Sequence, residues 1–241
     1  MTKRNFGFSL ACASAISFLL TLGALSASAE AFNPFLSTLT VPDEAISGFP
    51  APFGTVLVDL TSPTTATITF TADESHANAY TFGSVNSAAV NLSSTSGFTI
   101  SGLTGTPLNG SFTVGTLTSG GSGNVSSFGV FNETINDSGG FTTSAESITF
   151  TVTRTTGTWA SSADVLTGNT DGFDAAAHIF ICNAPVAGCT ASSGATTTGF
   201  VAEIAGSGVT VPEPTSVFLL GSVLVGVTAI LRKKAQRNPS N

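Results

Sequence analysis

The sequence predicts an all-β protein built as an antiparallel β-sandwich, and three observations carry that expectation. Apolar and polar residues alternate with period two in several segments, most clearly in Thr67-Ile68-Thr69-Phe70-Thr71 and in Ser147 through Thr153. Such alternation puts branched and aromatic residues on one face of a half-buried strand and threonines on the other. Clusters of Gly, Asn, Ser and Pro punctuate the chain at short intervals, as turns between short strands require. Helical periodicity is lacking outside two apolar segments at the ends, and nineteen phenylalanines supply a core that a disordered polar tract would not have.

Further strands are expected at Thr55 to Leu60, Tyr80 to Val85, Phe98 to Leu103, Ser111 to Leu117, Val125 to Ile135, His178 to Cys182 and Phe200 to Ile204. The best hairpin pairs Phe128–Ile135 with Ser147–Thr153. Its turn, Asn136-Asp137-Ser138-Gly139-Gly140, is rich in residues that tolerate positive φ.

The ends read as export signals. Lys3 and Arg4 precede an apolar run from Phe8 to Leu25, and Ala27-Ser28-Ala29 offers the small side chains that a signal peptidase admits. Residues 1–29 are therefore expected to be a helical signal peptide cut between Ala29 and Glu30, with Ala31 as the alternative site and a retained anchor as the alternative role. Cys12 lies inside the apolar run and leaves with the signal. At the other end, Thr215 to Leu231 is uncharged for seventeen residues and is followed by Arg232, Lys233, Lys234 and Arg237. That length is the short edge of a membrane span, and the basic cluster should stay on the cytoplasmic side. The predicted organisation is thus a signal (1–29), a cargo domain (30–210) and a C-terminal segment (211–241). The last divides into a motif (211–214), a transmembrane helix (215–231) and a basic tail (232–241).

Val211-Pro212-Glu213-Pro214, the apolar run and the basic cluster, in that order, resemble the PEP-CTERM sorting signal of Gram-negative bacteria. The resemblance covers roughly the last thirty residues. It implies that Pro212, Glu213 and Pro214 are recognised by exosortase, a membrane protease-transpeptidase, and that Arg232, Lys233 and Lys234 act as the stop. Two prolines fit that role physically, because they hold an extended peptide ahead of the helix. The implied route has signal peptidase and exosortase as processing partners, an inner-membrane intermediate, and a final place at the cell surface or outside, with a link to extracellular polysaccharide and biofilm. More loosely, Phe128-Gly129-Val130-Phe131-Asn132, Gly172 through Ile179 and Thr198 through Ala202 resemble cargo domains of the same family, which mostly lack an assigned activity.

Charge narrows the partners. All fourteen acidic residues lie between Glu30 and Glu213, where Arg154 is the only Lys or Arg, so this segment carries a formal charge of about −13. Such a surface disfavours nucleic acid and anionic lipid. Cys182 and Cys189 remain after signal removal, and an isolated pair in an exported chain is expected to form a disulfide. Three candidate ligands, His178 with the two cysteines, make a weak metal alternative. Asn169, Asp171 and Asp174 around Gly172 resemble part of a calcium loop but lack its distal Glu, so a plain turn rich in Asx residues is favoured and calcium stays a weak candidate. Asp73, Glu74, His76 and Asn78 read as a solvated polar loop.

No nucleophile elbow or metalloprotease spacing occurs. No catalytic residue, metal or cofactor is expected. The predicted function is a non-enzymatic exported surface or matrix protein. A glycan- or protein-binding module is the alternative, with Trp159 and Tyr80 as its candidate aromatic platform. A secreted hydrolase is the third reading and would need clustered carboxylates in a cleft.

Overall fold

The computed structural model describes residues 33–93, 97–107, 114–183 and 189–211. The chain divides into two units, Met1–Thr210 and Val211–Asn241, and the described residues belong to the first, apart from Val211. The predicted signal and membrane helices lie outside the described residues. Among the described residues no helix is long and apolar enough to cross a membrane.

The described chain is all-β and antiparallel, with a sandwich-like arrangement of two sheets. The first sheet contains β1 (Phe35–Leu39), β3 (Gly54–Ser62), β4 (Thr65–Ala72), β7 (Phe98–Thr106), β10 (Ser147–Arg154) and β13 (Val209–Thr210), in the order β13-β1-β3-β4-β10-β7. The second contains β2 (Val41–Pro42), β5 (Asn78–Phe82), β6 (Ala88–Val90), β8 (Leu117–Asn124), β9 (Val130–Asp137), β11 (Phe173–Asn183) and β12 (Ala195–Ile204). Its order is β2-β12-β11-β6-β9-β8, with β5 sharing the β11 edge used by β6.

The two alternating segments found in the sequence are direct neighbours. In β4 and β10, Thr69 lies opposite Thr149 and their hydroxyls are 3.0 Å apart on the outer face. Ala66, Ile68, Phe70, Ile148, Phe150 and Val152 turn inward and are fully buried. They share one core with Ala175, Ala177, Ile179 and Ile181 from β11 of the other sheet. Phe70 stands at its centre, edge-on to Phe82 at 6.1 Å and stacked on Phe150 at 6.4 Å, spacings that suit aromatic quadrupoles.

The expected hairpin between Phe128–Ile135 and Ser147–Thr153 does not form. β9 pairs with β6 and β8 in one sheet, while both edges of β10 are occupied by β4 and β7 in the other. The Asn-Asp-Ser-Gly-Gly segment does turn, but as an arch between sheets. Asp137 Oδ1 accepts from the Gly139 N–H and the Thr143 hydroxyl, and the chain enters the first sheet after Ala145 exchanges two backbone hydrogen bonds with Phe82. The expected strand at 125–135 is likewise interrupted by a single 3-10 turn at Ser126–Phe128. Gly129 restarts it at φ 85°, a backbone conformation that favours glycine over any residue with a Cβ. Of the expected strand at 111–117, residues 111–113 lie outside the described residues and β8 begins at Leu117.

β11 is longer than its apolar signal. From Asp174 through Cys182 every residue is buried, because both faces of the strand are covered. The outer face of the second sheet carries its own small cluster, with Ala89, Phe128, Phe131, Ala176 and Ala202 packed together beside Phe173 and Phe200.

Candidate functional site

The strongest chemical feature is a pair of carboxyl groups inside the fold where the two sheets meet. Val201 and Glu203 occupy alternate positions on the core side of β12, in register with Ala177 and Ala175 of β11. Glu203 is completely buried. Asp174 is the extra residue of a bulge in β11, between the paired residues Phe173 and Ala175, and is 3% exposed. Across the core, β1 places Ser37 on its inward face, where Phe35 and Leu39 are its neighbours. The Ser37 hydroxyl donates to Glu203 Oε2 and so joins the two sheets. Asp174 Oδ2 accepts from the Gly206 N–H at 3.3 Å. Among the described residues no donor meets the second oxygen of either carboxyl, Glu203 Oε1 or Asp174 Oδ1, in full hydrogen-bond geometry, although the Ser207 hydroxyl and the Ala175 N–H act on the two groups from close by.

Electrostatics follow from that placement. Burial, then the nearby Asp174 charge, push Glu203 up to about 8, against the opposing pull of the Ser37 and Ser207 hydroxyls. Burial also raises Asp174, opposed by backbone N–H groups including that of Gly206. A carboxyl pair of this kind resembles a hydrolase dyad in composition only. Both groups are sealed from solvent, so a sugar has no access to them.

A second polar group sits on the outer face of the second sheet. The His178 ring stacks on Phe200 at 4.3 Å and meets Phe180 edge-on at 5.3 Å. Its Nε2 is 2.6 Å from the Thr198 hydroxyl. Burial lowers the His178 pKa, with the Val85 backbone and the Asp43 charge acting in the other direction. The ring is therefore neutral at pH 7 and packs as one member of an aromatic cluster. Asp43 is occupied nearby, accepting the Phe200 N–H at 3.0 Å.

The other residues singled out in the sequence take varied places. Cys182 and Cys189 are bonded, with Cα atoms 5.6 Å apart; both are fully buried beside Phe180. The three-ligand metal reading of this group therefore fails, since neither sulfur is a free thiolate. The Asn169–Asp174 segment is a turn whose side chains take separate partners. Asn169 Oδ1 accepts from the N–H groups of Asp171 and Phe173, and its Nδ2 donates to the Phe128 carbonyl. Asp171 is exposed, while Asp174 turns inward to the carboxyl pair. The Asp73 loop closes on itself, with Asp73 Oδ1 accepting from both the backbone and the hydroxyl of Ser75. Among the described residues, no three His, Cys, Asp or Glu side chains are grouped to hold a metal.

Trp159 and Tyr80 do not form an exposed aromatic platform. Tyr80 is fully buried and its hydroxyl donates to the Pro50 carbonyl at 2.9 Å. Trp159 is 4% exposed, its Nε1 donates to Ser93 Oγ at 2.9 Å, and Arg154 covers its ring at 5.1 Å. Ala29, Glu30, Pro212, Glu213, Pro214, Arg232, Lys233 and Lys234 lie outside the described residues. No protein-family model, no curated protein and no solved structure matches the chain.

Proposed function

We propose that the chain is an exported, non-enzymatic surface or extracellular-matrix protein, a β-sandwich cargo carried between an N-terminal signal and a C-terminal sorting anchor. The observation that carries this reading is the C-terminal order of Val211-Pro212-Glu213-Pro214, seventeen uncharged residues and Arg232-Lys233-Lys234, with a second basic-then-apolar segment at the opposite end. Both basic clusters favour the cytoplasmic side, so the intervening domain is the part that crosses. Signal peptidase and exosortase are then the processing partners, the inner membrane holds the intermediate, and extracellular polysaccharide is the proposed setting.

Two features of the described domain support export. Its cysteines are paired in a disulfide, a bond that persists in oxidising compartments. Its acidic residues are nearly unopposed by basic ones, which favours a solvated domain over a nucleic-acid or anionic-membrane binder. The binding-module alternative loses support because Tyr80 and Trp159 are committed to the interior.

Replacement of Pro212, Glu213 and Pro214 by alanine tests the reading. The apolar run and basic stop are untouched, so the variant should still enter the membrane, and the unprocessed precursor should accumulate. Equal processing of variant and wild type, in cells with and without exosortase, refutes it.

A further inference from the structure

We propose that Ser37 and Glu203 condense into an internal ester, a covalent tie between the first strand and the last long one. The juxtaposition of the two side chains carries the proposal. The Ser37 hydroxyl oxygen lies directly against Glu203 Oε2, although the residues are 166 apart in sequence. Both are sealed in the interior, Ser37 at 2% and Glu203 at 0% exposure. The hydroxyl has a second acceptor in reach, the Val56 carbonyl at 3.3 Å on the neighbouring strand β3. With its proton turned to Val56, Ser37 Oγ presents a lone pair to the carboxyl, as attack on Glu203 Cδ requires.

The step balances with nothing added. A bond forms between Ser37 Oγ and Glu203 Cδ, the bond from Cδ to the acid O–H breaks, and that O–H leaves with the serine proton as water. The turn after β12, where Ile204, Gly206 and Ser207 are exposed, is the short way out for it. In bulk water at neutral pH an ester is lost because water is abundant and the released acid ionises. Both terms are weak here, since the site is closed to solvent and burial disfavours the carboxylate. The raised Glu203 pKa of about 8 agrees, leaving the neutral acid that the condensation needs. Holding the two groups in contact also removes the cost of encounter, and well-oriented intramolecular partners reach effective molarities of about 10⁵–10⁸ M.

Other ties are poorer. The Ser207 hydroxyl also bonds Glu203, but Ser207 is exposed, so an ester there stays open to hydrolysis. An amide is not available, because no lysine occurs between Arg4 and Arg232. The Ser37–Glu203 ester joins β1 of the first sheet to β12 of the second. A pull on the chain beyond Thr210 first frees β13, which pairs with β1 only at Phe35 and Leu36. It then meets the covalent tie before β12 can peel from β11.

Trypsin and mass spectrometry test the bond. Arg154 is the only Lys or Arg between Arg4 and Arg232, so digestion of the full-length chain, folded first and then denatured and reduced, cuts the Ser37 portion from the Glu203 portion. The Cys182–Cys189 bond lies within the second portion and does not bridge the two. The ester predicts that the portions stay joined, at a mass one water below their sum, and that alkaline hydroxylamine parts them. Fragmentation of the joined species should place the link at Ser37 and Glu203, and Ser37→Ala should yield separate portions. Separate portions of unmodified mass from the wild type overturn the proposal, whatever the variant does. Joined portions that resist hydroxylamine, or whose link maps to another pair, overturn it too. Separate portions with one water missing from the second would assign the ester to Ser207 and would equally overturn it.

Discussion

Loss of the Cys182–Cys189 bond should lower stability by an amount fixed mainly by chain entropy. The bond joins residues seven apart in sequence. Closing a loop this short in the unfolded chain is worth about 2.5 kcal/mol. The suitable perturbation is the double replacement Cys182→Ala and Cys189→Ala, which leaves no free thiol in the small apolar cluster with Phe180. Other contacts should keep the domain folded: the Cys189 carbonyl accepts from the Thr81 hydroxyl at 3.1 Å and from the Ser144 hydroxyl at 2.6 Å, and both bonds survive in the variant. For a domain of this size each kcal/mol moves the melting temperature by about 2–4 °C, so a decrease of roughly 5–10 °C is expected. Thermal melts followed by circular dichroism, with and without reductant, measure it. Reductant should lower the wild-type value towards that of the variant and leave the variant alone. A variant that melts at the wild-type temperature refutes the reasoning.

Two further substitutions test the packing. A Cβ on Gly83 would lie 2.4 Å from Phe180 Cε2 and 2.9 Å from the Thr143 carbonyl oxygen, so Gly83→Ala should cost about 1–3 kcal/mol in urea unfolding through overpacking. Trp159→Phe removes the 2.9 Å bond to Ser93 Oγ and weakens the Arg154 contact; a loss of about 1–2 kcal/mol is expected by the same measurement.

Local pattern and long-range placement were unequally legible in the sequence. The alternation in Thr67–Thr71 and Ser147–Thr153 marks two strands correctly, since period two directly encodes one buried face. It does not encode which strand lies beside which. The Asn136–Gly140 turn is compatible with a hairpin or an arch, and pairing by β4 and β7 on both edges of β10 decides for the arch. β8 was unreadable because Leu117–Asn124 is mostly Gly, Ser and Thr and lies at a sheet edge. The start of β11 was unreadable for another reason: Ala175-Ala176-Ala177 has no strand propensity, and its small side chains are set by close packing on both faces.

The cysteine pair could be read from its isolation in a chain expected to be exported. The carboxyl centre could not, because Ser37, Asp174 and Glu203 are scattered in sequence and only the register of β1, β11 and β12 brings them together. A glutamate two positions after a valine in an alternating strand was the one available sign, and it resembles an ordinary outward-facing residue. The alternation rule breaks there: Val201, Ala202 and Glu203 are all buried in succession.

The most direct test of the export reading is the mass and terminal peptides of the protein recovered from the cells that make it. The account predicts a mature chain outside the cytoplasm that begins at Glu30, or just after Ala31, and lacks the 215–231 run and the basic tail. Recovery of the intact chain from Met1 to Asn241 in the cytoplasm would contradict it.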